Sequence, residues 1–224
     1  QRLNQLRLPR TIGGVRLMGV FMLTGIDPFD PTPGARHSIL TGLLYSHGRL
    51  LEAWVQRTPV AMLSARLDNL DDPKQCRPQL LGFLESEARN LFLAGPIGTG
   101  KSYAAWSLAH AACGRWMSAK AWSLPRLLLA MRPDGDSDAF ESVCKVGFLV
   151  LDDIAAAKPT DWATEQMYSI AEARTSNDLT TVITTNASYE SLCQMWGDPT
   201  MDRWRHKSVT AVFKGESRRK PAPW

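Results

Sequence analysis

The stretch that most limits what this chain can become is Gly95-Pro96-Ile97-Gly98-Thr99-Gly100-Lys101-Ser102. It fits G-x-x-x-x-G-K-[ST], a loop that turns its backbone N–H groups inward to cradle phosphate. Glycines are needed there because a Cβ would obstruct the fold of the loop. Lys101 offers a point charge for the β- and γ-phosphates of a nucleotide, and Ser102 a hydroxyl for Mg2+. Gly95 to Ser102, with Tyr103 directly after, form the candidate set for binding ATP. The flanks meet the demands of such a loop. Asn90-Leu91-Phe92-Leu93-Ala94 predicts a short buried strand leading in, and Lys101 to Ala112 an Ala-rich helix leading out, with Gly114 as its stop. The helix N-terminus then points its dipole at the phosphates.

Phe148-Leu149-Val150-Leu151-Asp152-Asp153 is the second constraint. The apolar run predicts a strand buried on both faces, as parallel sheets require. Its C-terminal end, where such sheets bind ligands, carries two carboxylates. Asp152 would hold Mg2+ through its water shell, and Asp153 would polarise the attacking water as general base. Thr181-Val182-Ile183-Thr184-Thr185-Asn186 predicts a third strand of the same sheet. Its end would face the nucleotide, where Asn186 could orient the lytic water; an asparagine is equally at home turning a chain at a strand end.

With 224 residues there is room for one sizeable α/β domain and an appendage. We place the boundary between residues 1–66 and 67–224. In the first part, Asp27 to Gly34 is a turn-rich break and Ile39 to Val55 predicts a helix. No chemistry is visible there, so packing or partner contact is the expected role. Leu17 to Ile26 is apolar and follows four arginines, but it is short of membrane-spanning length and lacks a small-x-small cleavage site. No membrane association is expected, and an ATP-dependent protein belongs in the cytoplasm.

In the second part, a helix is predicted over Gln79 to Arg89, a strand over Arg115 to Lys120, and a Ser123-capped helix to Met131. Pro133 to Asp138 predicts an acidic surface loop. Asp161 to Arg174 predicts a helix whose stripe of Ala163, Met167, Ile170 and Ala171 is core. Two short helices follow, one capped by Ser188 and one opened by Asp198-Pro199, then a strand over Val209 to Phe213.

Charge is unevenly placed along the chain. Residues 1–66 carry eight Lys/Arg against three Asp/Glu, residues 67–200 eleven against seventeen, and residues 201–224 seven against two. Basic ends around an acidic middle point to a polyanion, nucleic acid first, while a solvated basic tail explains the last residues equally well. Arg203 and Arg219 lie in that last stretch. A guanidinium suits developing charge on a γ-phosphate as well as it suits nucleic acid, and spacing does not separate the two. Cys76, Cys113, Cys144 and Cys193 show no C-x-x-C spacing, so buried thiols rather than a zinc site are expected.

Taken as an ordered set, these residues resemble the DnaC/IstB-type AAA+ ATPases, the helicase loaders and transposition helper ATPases. The resemblance covers about residues 67–220. It rests on Gly95–Ser102 (Walker A), Phe148–Asp153 (Walker B), Lys158-Pro159-Thr160-Asp161-Trp162, Thr184-Thr185-Asn186 (sensor 1), Met201-Asp202-Arg203 and Gly215-Glu216-Ser217-Arg218-Arg219. It implies an α/β P-loop NTPase fold, an AAA+ core with a five-stranded parallel sheet, helices on both faces and a reduced or absent C-terminal lid; the small N-terminal extension, residues 1–66, departs from the family pattern, in which the loaders carry a helicase-binding domain there. It implies ATP bound between subunits, with Arg203 as the arginine finger reaching in trans to a neighbour. The family pattern Gly-Glu-Ser-Tyr-Arg implies Arg219 as the sensor 2 arginine, and because Arg218 stands here in place of Tyr, both are candidates for that role. Asp153 stands where most AAA+ proteins have Glu, as is frequent in this family.

Three functions are consistent with this. The first is an ATP-hydrolysing helicase loader in DNA replication, assembling as a homo-oligomer on single-stranded DNA and a replicative helicase. The second is a transposition helper using the same engine on duplex DNA with a transposase. The third is an adaptor switched by ATP that hydrolyses little.

Overall fold

The computed structural model describes residues 11–12, 15–16, 47–70, 76–115 and 117–218. The chain divides into two compact units, residues 1–63 with 112–118 and residues 64–111 with 119–224.

In the first unit, Thr11–Ile12 pairs antiparallel with Val15–Arg16. Residues 47–57 are helical, and the Thr58 hydroxyl closes that helix by donating to Trp54 O at 2.8 Å. The His47 imidazole is hydrogen-bonded to Cys113 O at 2.8 Å. The helix expected over Ile39 to Val55 is thus seen from residue 47 onward and runs two residues further. Its earlier half, the Asp27 to Gly34 break and the Leu17 to Ile26 run lie outside the described residues.

The second unit is built on five strands: β1 (Asn90–Ala94), β2 (Ala119–Ser123), β3 (Phe148–Asp152), β4 (Thr180–Thr185) and β5 (Ser208–Val212). All pair in parallel in the order β2-β3-β4-β1-β5. The central three are buried without alternation because both faces are covered, β1 and β3 through apolar runs and β4 through Val182, Ile183 and buried threonines. Phe92, Leu149, Leu151 and Ile183 join one core with residues from the helices named below, while Leu91, Leu93, Val150 and Val182, one residue out of phase, are equally buried. The edge strands β2 and β5 carry the partly exposed residues.

The helices are α1 (Arg77–Glu85), α2 (Lys101–Gly114), α3 (Leu124–Ala130), α4 (Ala139–Lys145), α5 (Asp161–Ser176), α6 (Tyr189–Trp196) and α7 (Asp198–Arg205). Their ends follow local chemistry. Thr160 and Ser188 accept from Ala163 N and Ser191 N, both at 3.2 Å, satisfying otherwise orphaned donors. Gly197, at φ +83°, stops α6 where a Cβ would be strained.

The sequence expectations hold with four corrections. The helix expected over Gln79 to Arg89 forms at Arg77–Glu85, and Ser86, whose N–H bonds back to Phe83 O, closes it before Arg89. The strand expected over Arg115 to Lys120 forms at Ala119–Ser123, because the N–H groups of Arg115 and Met117 still bond back to Ala112 O, at 2.9 and 3.1 Å, and hold the chain in a turn after α2. Ser123 occupies the N-cap position of α3 without a side-chain capping bond. After the exposed acidic loop comes α4, a short helix that burial of Ala139 and Val143 stabilises rather than any local pattern.

Arg174 is the unexpected member of the core. It is 1% exposed, at the end of α5. Its guanidinium donates to Val143 O (2.5 Å), Val146 O (2.9 Å), Thr180 O (2.6 Å) and Thr181 Oγ1 (2.9 Å). Burial pulls its pKa down to about 9, still above neutral pH. A charged fork therefore ties α5 to the end of α4 and the start of β4, using carbonyls instead of a carboxylate.

Candidate nucleotide-binding site

The sheet order puts β1 between β4 and β5, so the loop leaving β1 emerges beside the ends of both neighbours. Gly95 N donates to Thr185 O at 3.2 Å, tying the loop's first residue to the end of β4. Within the loop, Thr99 Oγ1 and Lys101 Nζ both donate to Pro96 O, at 2.9 and 2.7 Å, and Lys101 Nζ also donates to Gly95 O at 2.8 Å. The lysine is 9% exposed and folds back over the loop that precedes it. Thr99 is buried as well, so the turn is fixed from inside.

The carboxylates arrive from β3. Ser102 Oγ donates to Asp152 Oδ1 at 2.8 Å. Thr184 Oγ1, on β4, donates to the same oxygen at 2.6 Å and accepts from Asp153 N at 2.8 Å. Ile154 N donates to Thr184 O at 3.1 Å. Thr184 is 1% exposed and reaches both acidic residues, a part that its place in a β-branched strand did not reveal. Asp153 has φ +56°, a left-handed conformation that Asp tolerates better than most residues, and it is exposed at the mouth. Asn186 directly follows β4 and is also exposed. The loop, Ser102, Asp152, Asp153, Thr184 and Asn186 are therefore gathered at one end of the sheet.

The loop's glycines have a reason beyond phosphate. A Cβ on Gly95 would overlap Phe213 O, and one on Gly98 would overlap Ser217 Oγ. Phe213 N donates to Ala94 O at 2.8 Å and Arg218 N to Gly98 O at 2.9 Å. The segment after β5 is thus laid along the loop and occupies the space the glycines leave.

Other expected site residues lie apart from this cluster. Tyr103 donates its hydroxyl to Ser64 O at 3.0 Å. Ile97 is exposed. Arg203, on α7, donates from Nε to Glu172, from one terminal nitrogen to Tyr168 Oη at 2.7 Å, and from the other to Pro199 O at 3.1 Å. Its guanidinium also stacks 4.4 Å from the Tyr168 ring centroid. Arg219 lies outside the described residues. Among the described residues no cluster of His, Cys, Asp and Glu suits a metal ion by itself. The hydroxyl of Ser102 and the carboxylate of Asp152 are hard oxygen donors of the kind Mg2+ takes alongside nucleotide phosphates.

A family model described as IstB-like ATP binding protein matches residues 70–222, which include the whole cluster. The chain belongs to the IstB-like ATP-binding family. It is 29% identical over 143 residues to the protein named as the ATP-binding protein of insertion sequence IS1162 from Pseudomonas fluorescens, covering 59% of this chain and 62% of that one. The match thus spans less than two thirds of that relative's length. In fold the IstB-like chain is similar to the crystal structure of DnaI (TM-score 0.64, 22% identity, 73% of this chain and 95% of that one). It is likewise similar to the crystal structure of the DnaC helicase loader (TM-score 0.60, 22% identity, 70% of this chain and 100% of that one). The expected five-stranded P-loop architecture and the expected DnaC/IstB kinship both hold. No helix among the described residues of this IstB-like chain is long and apolar enough to cross a membrane.

Proposed function

We propose that this chain is a magnesium-dependent ATPase that assembles on DNA and hands the energy of ATP to a DNA-acting partner. The observation that carries the reading is the chain Ser102–Asp152–Thr184, which joins the phosphate loop to the ends of β3 and β4. Bound there by Ser102 and Asp152, Mg2+ would neutralise charge on the β- and γ-phosphate oxygens. Lys101 would turn from the loop carbonyls to the phosphates. Asp153 would take a proton from the attacking water while Asn186 orients it. Thr184 holds both acidic residues in register, so Thr184→Val should lower turnover about 10- to 100-fold, as loss of an outer-shell partner does. Steady-state phosphate release measures this.

Arg203 acts in trans in this reading. The family resemblance supports that role, and the side chain is bonded to residues of α5 and α7 rather than to the phosphate loop. Arg203→Ala should leave ATP affinity intact and abolish the part of the turnover that rises with protein concentration. If the loss is the same at dilutions where the chain is monomeric, the trans role is wrong.

For the partner, the named relative from an insertion sequence favours a transposition helper on duplex DNA. The helicase-loader reading, foremost in the sequence, is supported by fold likeness. Residues 1–66 would carry the partner contact, and the protein would act in the cytoplasm. Affinities for duplex and single-stranded DNA, measured with ATP at one fixed salt concentration, separate the two. A duplex preference supports the transposition helper, and a single-strand preference supports the loader. ATP binding with no turnover would leave only the switched adaptor.

A further inference from the structure

The Arg203 side chain rests on a rigid platform. On α7 it lies between Met201 and Trp204, both fully buried, so the backbone beneath it is fixed in the core. Tyr168 and Glu172 stand one turn apart on α5 and share a face. The buried Met167 and Ala171 beside them hold that helix in the same core. The guanidinium lies over the Tyr168 ring, 4.4 Å from its centroid. Its Nε donates to one Glu172 oxygen, and Ser176 Oγ donates to the other at 3.4 Å, which anchors the carboxylate in turn. The terminal nitrogens donate to Tyr168 Oη at 2.7 Å and to Pro199 O at 3.1 Å. Three of the five guanidinium N–H donors are thus engaged among the described residues, one on each nitrogen. Each terminal nitrogen keeps one more, and a pair of terminal N–H groups is what meets two phosphate oxygens.

Gluing α5 to α7 does not require this arrangement. The ion pair is open to water, with side-chain exposures of 28% for Arg203 and 47% for Glu172, and such pairs add little stability. What three bonds and a ring stack do is remove the rotamer freedom that an exposed arginine otherwise keeps.

We propose that Tyr168 and Glu172 are positioning residues for Arg203, presenting its two remaining N–H groups in a fixed pose to the phosphates of a neighbouring subunit's nucleotide. The proposal rests on Arg203 acting in trans. Tyr168 and Glu172 then set how fast assembled subunits turn over, not how tightly they bind ATP or one another.

The test is steady-state phosphate release by the full chain at saturating ATP, followed against protein concentration. Glu172→Ala should lower the plateau about ten- to hundredfold, the range for a misplaced reacting group, with ATP affinity and the half-saturating protein concentration unchanged. Glu172→Gln keeps an acceptor for Nε and should recover most of that loss. Tyr168→Phe keeps the ring and loses the oxygen, so it should cost about two- to tenfold, as one hydrogen bond does. Glu165→Ala, at an exposed carboxylate of the same helix, should match the unaltered chain. In the Arg203→Ala background Glu172→Ala should cost the residual turnover nothing more, because residues acting as a unit are not additive. The melting midpoint confirms that each variant is folded; if Glu172→Ala is not, Tyr168→Phe with and without Arg203→Ala decides. The proposal is overturned if Glu172→Ala leaves the plateau unchanged or raises it, if it shifts only the half-saturating concentration, if Glu165→Ala costs as much, or if the loss is equal with and without Arg203. Arg203→Ala alone separates two failures. If it removes the concentration-dependent turnover while Glu172→Ala does not, the positioning assignment alone is wrong; if it removes nothing, the trans reading falls too.

Discussion

Arg174→Met should cost about 3–5 kcal/mol of folding stability, or on the order of 10 °C in melting midpoint for a chain this size. The substitution roughly preserves volume and removes the charge, so the cost comes from what remains. Val143 O, Val146 O and Thr181 Oγ1 lose their donor in a buried region, and Thr180 O loses its donor where it is partly covered. Each orphaned buried acceptor costs about 1–3 kcal/mol, less than additively where neighbours share a site. These partners lie where β3 and β4 begin, at the opposite end of the sheet from the phosphate loop. The protein that remains folded should therefore bind ATP as before. Urea unfolding with and without ATP checks both halves. A loss under about 1 kcal/mol would mean that the arginine's own burial cost cancels its bonds.

Asp153→Asn should leave ATP bound and lower hydrolysis about 10²- to 10⁴-fold, the usual contribution of a general base. Asparagine accepts the left-handed backbone at φ +56° as readily as aspartate, and the Asp153 N–H bond to Thr184 Oγ1 does not involve the side chain. The fold of the turn should thus survive while the proton acceptor disappears. Single-turnover phosphate release at saturating ATP isolates the chemical step. Turnover within about tenfold of the unaltered chain would remove Asp153 from the role of base.

The parts of this site that were legible in the sequence are those written contiguously. Gly95 to Ser102 carries its own turn chemistry, and Phe148 to Asp153 carries its burial and its carboxylates in one run. Strand pattern was not enough by itself to bring β1, β3 and β4 together; it was the phosphate-loop motif between β1 and its helix that gave the other two strand ends their meaning. What stayed hidden depends on distant pairings. Thr184 stood in the stretch Thr184-Thr185-Asn186 with no role of its own, and only register across β3 and β4 makes it the hinge between Asp152 and Asp153. The segment after β5 that lies over Gly95 and Gly98 is joined to the loop across more than a hundred residues of chain, so those glycines looked like phosphate glycines only. Arg174 looked like the polar end of an amphipathic helix, since arginine is ordinarily exposed. Helix α4 is too short for periodicity to show and is held by tertiary burial.

The account turns on ATP being held by the loop through Lys101. Equilibrium titration of a fluorescent ATP analogue in the presence of Mg2+ is the most direct measurement. The unaltered chain should bind one nucleotide per chain, and Lys101→Ala should weaken it about a hundredfold or more, as loss of charge-assisted contacts to two phosphates requires. Equal affinity in the two proteins would contradict the account.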